Sequence, residues 1–138
     1  MTAPAAQPAL AAILETDDLR RLSTGLSLLV SAASEGRRAV GLAGFGALAP
    51  LLADDLGERA LDPAATPGLS PAGRAAFART LAELRGVLGE LPGLELWACA
   101  AAVEATGVAR DEVEARLSGV MSMPRFLRAA AGAELVVV

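Results

Sequence analysis

Cys99 is the only cysteine of the chain and lies in LELWACAAAVEATGV, residues 94–108, where an apolar run gives way to a helical pattern. A thiol at the start of a helix faces unpaired backbone N–H groups and the positive end of the helix dipole, and both favour the reactive thiolate. A lone cysteine among alanines is also typical of a packed interior, because free cysteine ranks among the most buried residue types. The stretch therefore supports two interpretations, a reactive Cys99 and a Cys99 that only fills the core.

The residue types that are missing exclude several kinds of site. The 138 residues include no histidine and no tyrosine, so a serine or cysteine nucleophile has no histidine base within the chain. A single cysteine excludes an internal disulfide, and the lack of histidine excludes a zinc site of the Cys/His kind. We therefore expect neither a metal nor a cofactor.

The charge pattern argues against nucleic acid and membranes as partners. The net charge is −4, and the twelve basic residues are all arginines, adjacent only at 20–21 and 37–38. This is too little for an electrostatic footprint on nucleic acid. The longest uncharged run, Ala39–Ala53, is interrupted by glycines and is short for a membrane span. Without a basic segment ahead of an apolar run at the N-terminus, we expect a cytoplasmic protein.

Apolar runs alternate with helical patterns along the chain. This order predicts a three-layer α/β/α sandwich with a mainly parallel sheet of four to five strands. We expect a flexible N-terminal tail at 1–8, one domain at 9–138, and a long functional or mobile loop at 57–72, where prolines and glycines concentrate. The predicted strands are 9–15, 39–43, 94–100 and 134–138, and the predicted helices are 17–35, 48–56, 70–91, 109–120 and 123–132, with Thr16 or Asp17 as the first helix cap.

The loops after the first three strands should meet at one edge of this sheet, because parallel strands end on the same side. These loops are Glu15–Asp18, Ala43–Gly46 and Ala98–Ala100, so Cys99 lies on the edge. The glycines of the second loop match neither a dinucleotide fingerprint nor a phosphate loop. Close backbone packing explains them, and so does a binding site in which backbone N–H groups approach a ligand. The candidate binding residues are Gly44, Phe45 and Gly46.

The acidic residues at the same edge have two interpretations. Glu15, Asp17 and Asp18 follow the first strand closely enough to form a carboxylate pair. Helix capping explains them more simply, because Asp satisfies free N–H groups at a helix start.

The cysteine segment WACAAAVEATGV resembles the strand-to-helix signature of the DsrE/DsrF-like (DsrEFH) sulfur-relay family. In that signature an apolar strand leads to an Ala-Cys pair, small residues and a Gly-Val step. Alanine, valine and threonine stand here where the family usually has methionine and serine. The resemblance covers about residues 10–138, and its matching positions are Ala98, Cys99, Val103, Gly107 and Val108, together with the stretches LSLLVSAASEGRRAVGLAGFGAL, LSGVMSMPRFLRAA and ELVVV.

The resemblance implies a function for Cys99 and a state of assembly. Characterised sulfur-relay members accept a sulfane sulfur on the cysteine as a persulfide and pass it to an acceptor. The implied protein is a sulfurtransferase-type carrier that meets a sulfur donor or acceptor protein and forms a homotrimer or hexamer. The hydrophobic fraction of 54% agrees with a subunit interface. The alternative is a non-catalytic homo-oligomeric binding module with an edge pocket and an inert core cysteine.

Overall fold

The computed structural model describes residues 7–138, which fold around a five-stranded sheet. All pairings are parallel, in the order β4-β3-β2-β1-β5. The predicted α/β sandwich is therefore confirmed. The strands are β1 (Leu10–Leu14), β2 (Ala39–Ala43), β3 (Leu94–Cys99), β4 (Val120–Met121) and β5 (Glu134–Val137).

Seven helices connect these strands within the described residues. Each interval between consecutive strands contains at least one helix, as parallel connections require. The helices are α1 (Leu19–Ser34), α2 (Phe45–Leu52), α3 (Leu56–Arg59), α4 (Pro71–Gly86), α5 (Ala100–Thr106), α6 (Arg110–Arg116) and α7 (Met123–Ala129).

One face of the sheet packs directly against α1. A side chain added at Gly41 would meet the Leu29 side chain of α1, and one added at Gly25 of α1 would meet Leu14 and Val138. These contacts place alternate strand residues toward α1. Contacts of α4 with α1, and of α2 with α5 and α6, extend this helical layer.

For residues 7–138, the strand order places one helix on the opposite face. The chain moves in one direction across the sheet from β1 to β4 and then returns past β1 to β5. Right-handed connections put a return of this kind on the other side of the sheet, so α7 covers the face that α1 leaves free. Phe126 of α7 is fully buried there.

Several helix boundaries differ from the predicted ones because local hydrogen bonds decide them. The first helix starts at Leu19, with Asp18 rather than Thr16 or Asp17 as its cap, because the Asp18 carboxylate accepts the Arg20 N–H at 2.9 Å. The helix predicted at 48–56 already begins at Phe45. Ser70 caps α4 as predicted, but α4 ends at Gly86. The two residues of β4 were not predicted, since such a short strand has no pattern of its own.

The predicted tail at 1–8 falls mostly outside the described residues. Of its last two members, Gln7 is exposed and Pro8 is buried. The N–H of Ala9 donates to the Arg38 carbonyl at 2.8 Å, which fixes the chain just before β1.

The segment predicted as a long loop at 57–72 is held by two arginines. Arg74 of α4 donates to the Thr66 hydroxyl at 2.8 Å and to the carbonyls of Thr66 and Leu69 at 3.2 and 2.8 Å. Thr66 is fully buried, and its hydroxyl lies 3.1 Å from the Ala60 carbonyl. Arg20 of α1 donates to the Pro67 carbonyl at 2.9 Å. The loop prediction was too long, because α3 covers 57–59 and α4 begins at Pro71, and these bonds hold the irregular part at 60–70.

We expect Thr66→Val to destabilise the fold by about 1–3 kcal/mol, because Arg74 and the buried carbonyls lose a partner. Thr66→Ser keeps the hydroxyl and should lose much less. Urea unfolding of the three proteins measures the difference in free energy of unfolding. Equal losses in both variants would show that the methyl group, and not the hydrogen-bond network, stabilises this loop.

Candidate functional site

The loop after β1 and the first turn of α2 approach each other closely at the carboxyl edge of the sheet. A side chain at Gly46 would overlap the backbone carbonyl oxygen of Glu15 and come within 3.1 Å of the Asp17 nitrogen. A side chain at Gly44 would overlap the Glu15 carboxylate instead. Gly46 therefore allows close backbone packing, whereas Gly44 leaves room for the Glu15 side chain. Gly44 is buried, whereas Phe45 is 52% exposed and Gly46 is half-buried.

Phe45 and Gly46 line a cleft of about 510 Å³ on this edge. The cleft lies between the start of α1, the outer side of α2 and the segment after α3. Gly44 is not among its lining residues, so the structure brings two of the three predicted binding residues into a cavity. The lining consists of Asp17, Leu19, Phe45, Gly46, Ala49, Pro50, Arg59, Asp62 and Ala65.

The three charged groups of the cleft differ in how they are bonded. Arg59 pairs with Asp55 at 2.8 Å, and the Asp62 carboxylate accepts the Ala64 N–H at 2.9 Å. Asp17 is exposed and has neither an ion pair nor a hydrogen bond to its side chain within residues 7–138. The cleft thus combines an apolar surface with the Asp17 carboxylate, which has no ion-pair partner among residues 7–138.

Of the acidic residues after β1, Asp18 is engaged at the start of α1. Asp18 caps α1 and bonds the Arg20 guanidinium at 3.0 Å, and this hydrogen bond is the main cause that lowers the pKa of Asp18. The pKa of Asp18 in the folded protein lies below that of an unfolded aspartate. The contact with Arg20 therefore stabilises the fold at neutral pH, and this stabilisation is lost as the pH falls through the folded pKa. The capping interpretation is therefore confirmed for Asp18.

Cys99 is the last residue of β3 and the residue directly before α5. It pairs with Met121 of β4, and both are buried, with Cys99 7% exposed. Strand alternation from Leu96, which faces α1, turns the Cys99 side chain toward the opposite face. Cys99 does not line the cleft beside Phe45.

A second cleft begins at the residue after Cys99. It has a volume of about 470 Å³, and its charged lining residues are Glu104 and Arg110. Arg110 reaches this cleft, whereas Arg74 is bound in the network around Thr66. The lining residues are Ala100, Val103, Glu104, Gly107, Val108, Arg110 and Val120.

Sequence reasoning missed much of the first cleft. Arg59 and Asp62 lie in the segment predicted as irregular, and Pro50 falls inside a helix whose start was predicted three residues too late. The concentration of loop-forming residues after position 57 was the available signal, since long loops often line sites.

Over residues 7–138, no cluster of acidic and cysteine side chains is arranged to hold a metal ion. No helix in this part of the chain is both long and apolar enough to traverse a bilayer. Comparison of the sequence with protein-family models and with curated proteins gives no match, so the family resemblance rests on the sequence motifs.

We expect Gly46→Ala to destabilise the protein by about 1–3 kcal/mol, because the added methyl meets backbone that cannot move alone. Gly44→Ala should cost less, since the exposed Glu15 carboxylate can rotate away. Urea unfolding compares the two variants. A larger loss at Gly44 than at Gly46 would contradict this description of the edge.

Proposed function

We propose that the chain is a sulfur carrier in which Cys99 accepts a sulfane sulfur as a persulfide and passes it to an acceptor thiol. The observation that carries the proposal is the position of Cys99 in the sheet. The connection after β3 runs on the α1 side of the sheet, and the connection after β4 runs on the α7 side. Cys99 therefore ends a strand at the point where two neighbouring connections go to opposite faces. Ligands of open α/β sheets bind in the crevice at such points.

The transfer needs one thiol and no second catalytic group. The Cys99 thiolate attacks the terminal sulfur of a persulfide donor, the donor sulfur–sulfur bond breaks, and the donor leaves as a thiolate. An acceptor thiolate then removes the same sulfur and restores Cys99, so no oxidant or reductant is consumed. This agrees with a chain that has no histidine and only one cysteine.

Access to the sulfur is the step on which the proposal depends. Cys99 retains 7% exposure, and the residue after it, Ala100, lines a cleft in which a donor or acceptor could dock. Arg110 and Glu104 on this cleft supply polar contacts. Val120 of this cleft faces the α1 side and Cys99 faces the other side, so a partner that docks there must separate the ends of β3 and β4 to reach the thiol.

Incubation with polysulfide should add the mass of one sulfur atom to the native protein and none to a folded Cys99→Ser variant, as measured by intact-mass spectrometry. Dithiothreitol should remove the adduct, because a persulfide is a reversible modification. Iodoacetamide should alkylate Cys99 without denaturant. A native protein that gains no sulfur and is alkylated only after unfolding would refute the carrier function and support an inert core cysteine.

The second candidate function is ligand binding in the cleft beside Phe45, in a module with no catalytic role. The specific observation in its favour is the combination of an exposed aromatic ring with the unpaired Asp17 carboxylate. An apolar bed with few polar groups is typical of small-molecule sites. This composition favours a ligand with an apolar body and a positively charged amine.

For this second candidate, 2-naphthylmethylamine should bind the cleft more tightly than 2-naphthoate, which has the same ring and the opposite charge. Phe45→Ala should raise the dissociation constant of the amine about tenfold, and Asp17→Asn should remove the preference for the amine. Leu127→Ala is the matched control, because Leu127 is 51% exposed but lies on α7. Calorimetric titration measures all four proteins. Equal affinity for both probes would rule out this ligand chemistry.

Assembly and location remain predictions. The resemblance implies a homotrimer or hexamer and a donor or acceptor protein as partner, and the cytoplasmic location is an expectation from the sequence alone. Seven large hydrophobic residues are exposed within the described chain, which supports an assembly that covers some of them.

A further inference from the structure

β5 is an open edge of the sheet. Within the described chain it pairs only with β1. The N–H groups of Glu134 and Val138 donate to the carbonyls of Ala9 and Ile13 at 3.2 and 2.8 Å. Alternate residues of a strand direct their backbone groups to opposite sides, so the N–H and C=O groups of Leu135 and Val137 point away from β1. This outer side has no partner strand among residues 7–138.

The same two residues expose their side chains. Leu135 is 49% exposed and Val137 is 64% exposed, and their register with β1 places them on the face opposite α1. Met123 and Leu127 of α7 belong to the same side of the sheet and are 37% and 51% exposed. Four of the seven exposed large hydrophobic residues therefore border β5 and α7.

The other edge of the sheet is protected, and β5 is not. β4 has only two residues, with Val120 half-buried and Met121 6% exposed, and it contacts both α5 and α6. Edge strands are usually blunted by proline, lysine or a bulge. β5 has none of these, and Glu134 at its first position is its only charge.

We propose that β5 is the contact through which two copies of this chain associate, antiparallel and about a two-fold axis at Val136. Leu135 of one copy then lies opposite Val137 of the other, and each such pair exchanges both backbone hydrogen bonds. The exposed leucine and valine become cross-strand neighbours, which stabilises a sheet. The two sheets join into one.

The second copy is the occupant that the edge fits, because its pattern is self-complementary. A two-fold rotation places the outward N–H and C=O groups of residues 135 and 137 opposite the same groups of the second copy. No further residue is needed to pair them. Pairing of β5 with β4 of another copy would form an open chain of subunits, and β4 is too short and covered to accept it. A two-fold pair is compatible with a hexamer built from three pairs and not with an isolated trimer. The inference is independent of the function of Cys99.

Sedimentation equilibrium over a concentration series tests the contact. The unmodified chain should form pairs, and Val137→Lys should raise their dissociation constant by more than about tenfold through charge at the edge. Val137→Pro should have a similar effect, because it removes an outward N–H and leaves the bonds to β1 intact. Leu61→Lys is the matched control, since Leu61 is 50% exposed and lies in the segment after α3. Circular dichroism confirms that each variant is folded.

A cross-linking experiment tests the register. In a Cys99→Ala background, Val136→Cys should form a disulfide between copies under mild oxidation, because residues on the two-fold axis are direct neighbours. Leu61→Cys in the same background should not. A monomer at every concentration up to the solubility limit would overturn the proposal. So would an oligomer that resists both Val137 substitutions, or one in which Val136→Cys does not cross-link.

Discussion

The close packing of α1 on the central strands is the constraint on which the rest of this structure depends. β2 is buried along its whole length, and Gly41 in its middle leaves room for Leu29 of α1 and Leu96 of β3. A methyl group there would push the helix away from the sheet, since protein interiors have few voids to absorb it. The central strand β2 therefore needs small residues on the α1 side, where it has Ala39, Gly41 and Ala43.

That packing also sets the chemistry available at the carboxyl edge. With α1 held close, the loop after β1 passes against the first turn of α2, and only glycine fits at position 46. Phe45, next to it, projects outward into the cleft and is 52% exposed. Cys99 reaches the same edge on the next strand, but faces the other side of the sheet. Alternation of side chains along β3 thus keeps the Cys99 thiol away from the cleft beside Phe45.

The uneven cover of the two sheet faces links architecture to assembly. Within residues 7–138, right-handed connections put the links from β1 to β4 on the α1 side and only the link through α7 on the other, where β5 keeps Leu135 and Val137 exposed. Purely parallel sheets are usually buried on both faces. The exposed residues of β5 and α7 are where this protein departs from that rule, and a partner is the physical means of removing the apolar surface from water.

The sequence by itself determined the elements that local chemistry specifies. The leucines of α1 recur at helical spacing, Ser70-Pro71 begins α4, and Gly36 and Gly107 end helices with positive φ angles of 80° and 74°. The alternation of strands and helices was sufficient to predict the parallel sandwich, even though alanine is a poor strand former. These features depend on residues near each other in the chain.

Only the tertiary structure decided which edge residues share a cavity and how much of Cys99 is exposed. Asp17 and Phe45 meet Arg59 and Asp62 because the segment after α3 is tied back by Arg74 and Arg20, through bonds that cross up to 47 positions of sequence. The two-residue strand β4 exists only because β3 offers it a ladder. Contacts between distant segments leave no periodic pattern in the chain, so only the folded arrangement of backbone and side chains reveals them.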